Sequence, residues 1–133
     1  MRVFIDTNVL ISAALFPGGT ASRAYYRAVS DPYDPMVSDY VIDEPRRVFS
    51  RKFPHRMQAL DTFVASLSSS VTIVSTPESA LEEESGIRDV NDRPILRAAR
   101  AAGAAILVTG DKDFLDSHVD NPQILSPSEF LLL

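Results

Sequence analysis

Four acidic side chains, Asp6, Glu44, Asp92 and Asp111, have the type and placement to do chemistry. Asp6 directly follows the apolar run Val3-Phe4-Ile5, and Asp111 follows Ile106-Leu107-Val108 and a Thr109-Gly110 turn. Short apolar runs bounded by turn signals are expected to be buried strands. A carboxylate at such a joint lies at the C-terminal end of its strand, in the crevice where open α/β sheets place ligands. If the two strands are neighbours, Asp6 and Asp111 face each other across one cleft. Asp92 stands just before an Ala-rich helical stretch, and Glu44 within another. Hard divalent cations take oxygen ligands, and Mg²⁺ uses few carboxylates while keeping several waters. Gathered carboxylates repel one another unless a cation neutralises them. Cys is absent, so no thiolate competes and Mg²⁺ or Mn²⁺ is the expected ion. Such an ion makes water a usable nucleophile near neutral pH and offsets phosphate charge, which points to phosphodiester hydrolysis. The plainer reading is that Asp6, Asp92 and Asp111 each cap the helix that follows, and that Glu44 is a solvated helical carboxylate.

The elements that must position these acids alternate strand and helix. A helix is expected from Asn8 to about Phe16, stopped by Pro17-Gly18-Gly19, and a second from Thr20 or Ser22 through Val29. Met36-Val37 reads as a short strand. Ser38 is a good N-cap for a third helix, which should kink or restart at Pro45; the expectation here is a bend across Val41–Pro45. Helical spacing of Leu60, Phe63, Val64 and Leu67 leads to a strand at Val71–Val74. The acidic stretch Glu78 to Glu84 reads as a solvated helix or loop. A helix at Ile95–Ala102 closes at Gly103, a strand follows at 105–108, then a short helix at Lys112–Asp116 and a last strand near Gln123–Leu125. This alternation predicts a mostly parallel sheet covered on both faces.

With 133 residues, 45% hydrophobic and 23% charged, the chain reads as one domain spanning 1–133 with an ordinary core. It has no apolar run near 18 residues, residues 1–16 do not read as a secretory leader, and the missing cysteines make the cytoplasm the expected compartment. A net charge of −5 argues against a general nucleic-acid-coating protein but not against a nuclease, whose bound cations reverse the local sign. Against that background Arg46, Arg47, Arg51, Lys52 and Arg56 crowd into one stretch. Such a run is either a solvated face or a rim that binds RNA phosphates. Tyr25, Tyr26 and Tyr33 are placed in packing rather than against bases, and His55 and His118 on the surface.

Taken in order, Phe4-Ile5-Asp6-Thr7-Asn8-Val9-Leu10, Ser38 with Glu44, Asp89-x-x-Asp92-x-Pro94-Ile95-Leu96, and Val108-Thr109-Gly110-Asp111-Lys112-Asp113-Phe114-Leu115 resemble the PIN domain family. The chain resembles most the VapC-like toxins of toxin–antitoxin pairs. The resemblance implies an α/β/α sandwich and a Mg²⁺- or Mn²⁺-dependent endoribonuclease. Asp6, Glu44, Asp92 and Asp111 would be its metal-site acids, Asp113 an auxiliary acid, and Thr7, Asn8 and Thr109 polar supports. It further implies an antitoxin that inserts a peptide over the cleft, and a homodimer. Pro45 departs from the family pattern, with Asp43 as the fallback ligand if Glu44 turns away.

Three other readings compete. A haloacid-dehalogenase-type phosphohydrolase also begins with Asp after its first strand, but it needs a second Asp two residues on, where this chain has Asn8. A response-regulator receiver needs an Asp after its third strand, where Ser75-Thr76-Pro77 stands. A catalytically silent PIN-like binding module would lack acids that are present here.

Overall fold

The computed structural model describes residues 1–41, 44–90 and 92–133; the side chains of Val41 and Glu44 lie outside the description. In chain order the elements are β1 (Arg2–Ile5), α1 (Thr7–Leu15), α2 (Thr20–Ala28), β2 (Asp34–Ser38), α3 (Glu44–Lys52), α4 (Met57–Ser70), β3 (Thr72–Val74), α5 (Arg93–Ala101), β4 (Ile106–Val108), α6 (Lys112–Leu115), β5 (Gln123–Leu125) and α7 (Pro127–Leu131). The sheet has five strands in the order β3-β2-β1-β4-β5, and every pairing is parallel. The mostly parallel expectation is thus met by a wholly parallel sheet. Parallel strands need crossover connections, and the helices supply them.

Period-two alternation sorts the strand side chains onto two cores. Val3, Ile5, Ile106 and Val108 face a core shared with α1, α2, α4 and α7. Phe4 and Leu107 face a second core, closed by α5 and by Phe114 of α6. Helices therefore cover both faces in an α/β/α sandwich. β1 and β4 are central and adjacent, with Ile5 opposite Val108, so residues 6 and 109 begin the exit from the sheet side by side. Asp6 N–H donates to Val108 O at 3.0 Å, continuing the ladder into the joint.

The bend expected across Val41–Pro45 falls partly on residues 42 and 43, outside the described residues; before them a 3₁₀ turn covers Asp39–Val41, and after them α3 spans Glu44–Lys52. Pro45 falls in the first turn of α3, where a missing N–H leaves no broken hydrogen bond. One expectation is corrected: the acidic stretch is not uniformly solvated. Glu84 is buried in a 3₁₀ turn (Glu82–Gly86) and meets Arg97 of α5, with Oε1 2.8 Å from NH2 and Oε2 3.0 Å from Nε. Arg97 also donates to the carbonyls of Pro77 and Glu78, tying the β3–α5 connection to the helix. Arg97 and the Leu81 N–H hold the Glu84 carboxyl below its usual range against the opposing effect of burial.

Candidate active site

Asp6 terminates β1 and is almost fully buried. Its side chain does not cap α1; it turns instead toward β4. There the Thr109 hydroxyl donates to Asp6 Oδ2 at 2.7 Å, and Asn8 Nδ2 donates to the same oxygen at 3.2 Å. Thr109 also accepts from Asp111 N–H at 3.0 Å, while Asn8 Oδ1 accepts from Gly110 N–H at 3.3 Å. One hydroxyl and one amide thus lock the two strand ends together, and they fix the carboxylate of Asp6 through two of its acceptor sites. Thr7 is buried beside them.

Asp111 does cap a helix: its Oδ1 accepts from Asp113 N–H at 2.9 Å. The plainer reading of this residue is therefore true. It does not exclude the other, because the carboxyl also comes within hydrogen-bonding reach of Asp92. Asp92 stands before α5 and makes no capping bond. Its Oδ2 is buried with no hydrogen-bond partner among the described residues. Burial, the contact with Asp111 and the charges of Asp111, Asp6 and Asp89 push its carboxyl up to about 8. Carboxyl oxygens of Asp89, Asp92 and Asp113 all lie within 4.8 Å of one another. Arg88 partly offsets this crowd, with Nε and NH2 at 2.8 and 2.5 Å from Asp113 Oδ1.

The structure therefore brings Asp6, Asp92 and Asp111 to one edge, with Asp113 next to them. The expectation for Glu44, and for Asp43 as its fallback, falls outside the described side chains. α3 nonetheless starts at residue 44, and its later residues border the site. Asp89 was not singled out from sequence as a site residue. Its place in the Asp89-x-x-Asp92 motif was the available signal, and both residues lie in the turn that leads into α5.

A cleft of about 390 Å³ opens over these acids. Asp6 and Asp92 lie in it, Asn8, Ile11 and Ser12 of α1 form one wall, and Val48, Lys52 and Phe53 form the other. The basic run divides accordingly. Arg46 is engaged with Asp61 at 2.7 Å and Arg56 donates to Leu15 O at 2.8 Å, whereas Arg47 and Arg51 are exposed on α3 outside the cleft lining. Of the tyrosines, Tyr25 is buried in the core and Tyr33 packs on Phe130, while Tyr26 is exposed. His55 and His118 are both exposed and are not among the residues that line the cleft. A larger hollow of about 820 Å³ lies between α1, α2 and α4, and no carboxylate is among its lining residues.

The donor set fits a hard divalent cation. Among the described residues the ligands on offer are carboxylate oxygens, and a buried oxygen of Asp92 has no donor to satisfy it.

No curated protein sequence matches the chain. Among solved structures the fold is similar to VapBC2 from Rickettsia felis, bound to a DNA fragment from its promoter, with a TM-score of 0.68 and 19% identity over 95% of this chain and 98% of that one. It is also similar to VapC20 of Mycobacterium tuberculosis, described as a Sarcin-Ricin loop cleaving toxin, with a TM-score of 0.59 and 20% identity over 86% and 93% of the two chains. A domain of a functionally unknown protein from Methanocaldococcus jannaschii gives a TM-score of 0.57 and 16% identity over 94% and 89%. The family model described as PIN domain matches residues 2–113, from the first strand through the last acid of the site, and the chain belongs to the PIN domain family.

Proposed function

We propose that this protein is a divalent-metal-dependent endoribonuclease that acts as the toxin of a toxin–antitoxin pair. The observation that carries the reading is the buried Oδ2 of Asp92, without a donor among the described residues, in a group of carboxyls at the C-terminal edge of a parallel sheet. A purely structural cluster would be expected to pair its buried oxygens with donors. Asp6, Asp92 and Asp111 would hold Mg²⁺ or Mn²⁺, with Glu44 as the fourth acid and Asp113 as an auxiliary one. When bound, the ion supplies Lewis acidity, lowering the pKa of water and offsetting charge on the phosphate.

The chain's own residues set the conditions for that chemistry. Thr109 and Asn8 orient the Asp6 carboxylate, which lines the cleft. Asp111 is held by the N–H of Asp113 and lies against Asp92, whose proton must leave before it can act as a ligand. The exposed cations of α3, among them Arg47, Arg51 and Lys52, would meet RNA phosphates; Arg46 shares its charge with Asp61.

Two similar folds are named VapBC2 and VapC20, the second described as a toxin that cleaves the Sarcin-Ricin loop, and this supports the toxin reading. We place the chain in the cytoplasm as a single domain, a homodimer held in check by a cognate antitoxin. No helix among the described residues is long and apolar enough to cross a membrane. The phosphohydrolase alternative is disfavoured by Asn8, whose amide is spent on Asp6 and Gly110 and cannot shuttle a proton.

The test is incubation of the purified protein with RNA in Mg²⁺ or Mn²⁺ against a chelator, beside a chromogenic phosphate monoester. Metal-dependent RNA scission with the monoester untouched is expected. Monoester hydrolysis without RNA scission would overturn the reading.

A further inference from the structure

We propose that Lys52 and Phe53 form a nucleotide subsite beside the acids, in which Lys52 pairs with a phosphate flanking the one cleaved and Phe53 carries a base. The inference rests on the ribonuclease reading above and assigns residues to its substrate contacts. Lys52 and Phe53 line the same cleft as Asp6 and Asp92, so a chain laid across the acids must pass them.

α3 decides which member of the basic run reaches the cleft. Val48 and Lys52 are four residues apart, which puts them on one helical face, and both line the cleft. Arg47 and Arg51 stand one position earlier in that repeat, about 100° around the helix, and do not line it. Arg46 is neutralised by Asp61. Lys52 is exposed and makes no ion pair among the described residues, although Asp6 and Asp92 line the same cleft. A cation so placed is free to meet an anion that enters between the two.

Phe53 follows at once and ends the helix, its N–H bonded to Phe49 O at 2.7 Å. Its ring packs edge-on against the fully buried Phe49, with centroids 5.7 Å apart at 61°. The ring is therefore fixed yet only partly covered, and Val48 on its own wall and Ile11 on the α1 wall add apolar surface to the same cleft. A fixed aromatic face next to an unpaired cation is the arrangement that takes a base and its phosphate together. Ser12 adds a hydroxyl on the opposite wall.

The test measures binding of a short fluorescein-labelled single-stranded RNA by fluorescence anisotropy, in chelator and in an Asp6→Asn background, so that turnover does not enter. Lys52→Ala should weaken binding about tenfold and flatten the slope of log affinity against log salt by about 0.7, the value for one phosphate contact on a single strand. Lys52→Arg should restore both. Arg46→Ala, the same change in net charge on the same helix, should alter binding less than about twofold. Phe53→Leu should weaken binding by about fivefold or more, and Phe53→Trp should retain it, stacking being the property tested.

Equal effects of Lys52→Ala and Arg46→Ala, or wild-type affinity in Phe53→Leu, would overturn the proposal, as would absence of RNA binding altogether. If Phe53→Leu melts early by circular dichroism, the Phe53→Trp variant and the Lys52 pair decide the matter. Failure of the wild-type protein to cut RNA in Mg²⁺ would overturn the ribonuclease reading alone, because binding is read without cleavage.

Discussion

Asp92→Asn should stabilise the metal-free protein while removing its response to Mg²⁺. The Asp92 carboxyl titrates at about 8 in the folded chain, raised by burial first and then by Asp111, Asp6 and Asp89. In the unfolded chain an Asp titrates near 3.9. Between those values the native state keeps a proton that the unfolded state has released, so stability falls as pH rises through the window, and the loss is complete above about 8. Asp89 and Asp92 oxygens lie within 4.8 Å. At that separation two unit charges repel by roughly 3.5 kcal/mol at an effective dielectric of about 20, and by roughly 0.9 kcal/mol in bulk water. Asp92 is only partly covered, so about 1–2 kcal/mol is the reasonable range above pH 8. An unfolding entropy of about 2.1 cal/mol/K per residue makes 1 kcal/mol worth roughly 4 °C in a chain of 133 residues. The neutral, isosteric amide should thus raise Tm by about 4–7 °C at pH 9 in chelator, and the gap should close toward pH 5. Scanning calorimetry across pH 5–9, with and without Mg²⁺, reads both effects. In Mg²⁺ the order should reverse, because the variant has lost a ligand. A lower Tm for the variant in chelator at pH 9, or equal Mg²⁺ shifts for both proteins, would refute the reasoning.

Asp6→Asn should abolish RNA cleavage at saturating Mg²⁺ without unfolding the chain; gel assays and circular dichroism on one preparation check the two halves. Thr109→Val removes the hydroxyl that joins Asp6 to the Asp111 backbone, and should lower Mg²⁺ affinity by about 10–100-fold, as loss of ligand-orienting groups commonly does, readable by titration calorimetry. Glu84→Leu should lower Tm by on the order of 10 °C, because it strands the guanidinium of Arg97 in a covered position. Asp61→Leu, which breaks the exposed pair with Arg46, should shift Tm by less than about 4 °C.

The sequence by itself determined the two central strands and the acids at their ends. Val3-Phe4-Ile5 and Ile106-Leu107-Val108 are apolar at every position because both faces of a parallel sheet are covered, and no helix-period reading fits so short a run. The adjacency of those strands stood only as a condition in the sequence, and the pairing of Ile5 with Val108 supplies it. Helix bounds were legible to within a residue or two where a breaker or a cap marks them, as at the start near Thr20 and the end near Gly103. Pro45 told of an interruption but not of its place: in the structure it falls in the first turn of α3, where a proline breaks no helical hydrogen bond.

Only the tertiary structure decided which charges work alone. Glu84 looked like its acidic neighbours, yet one helix away Arg97 gives it a partner and takes it out of solvent. Arg46 and Lys52 read identically as members of one basic run, but Asp61 on α4 claims the first, and the rotation of α3 delivers the second to the cleft. Asp92 could equally have been a helix cap by its position. Its raised pKa follows first from burial and then from the carboxyls of Asp111, Asp6 and Asp89 that packing brings beside it. Hydrophobic periodicity is a local property, recorded in a few neighbouring residues. Charge pairing, desolvation and the sharing of one hydroxyl between Asp6 and Asp111 depend on distances between segments about a hundred residues apart, which packing alone sets.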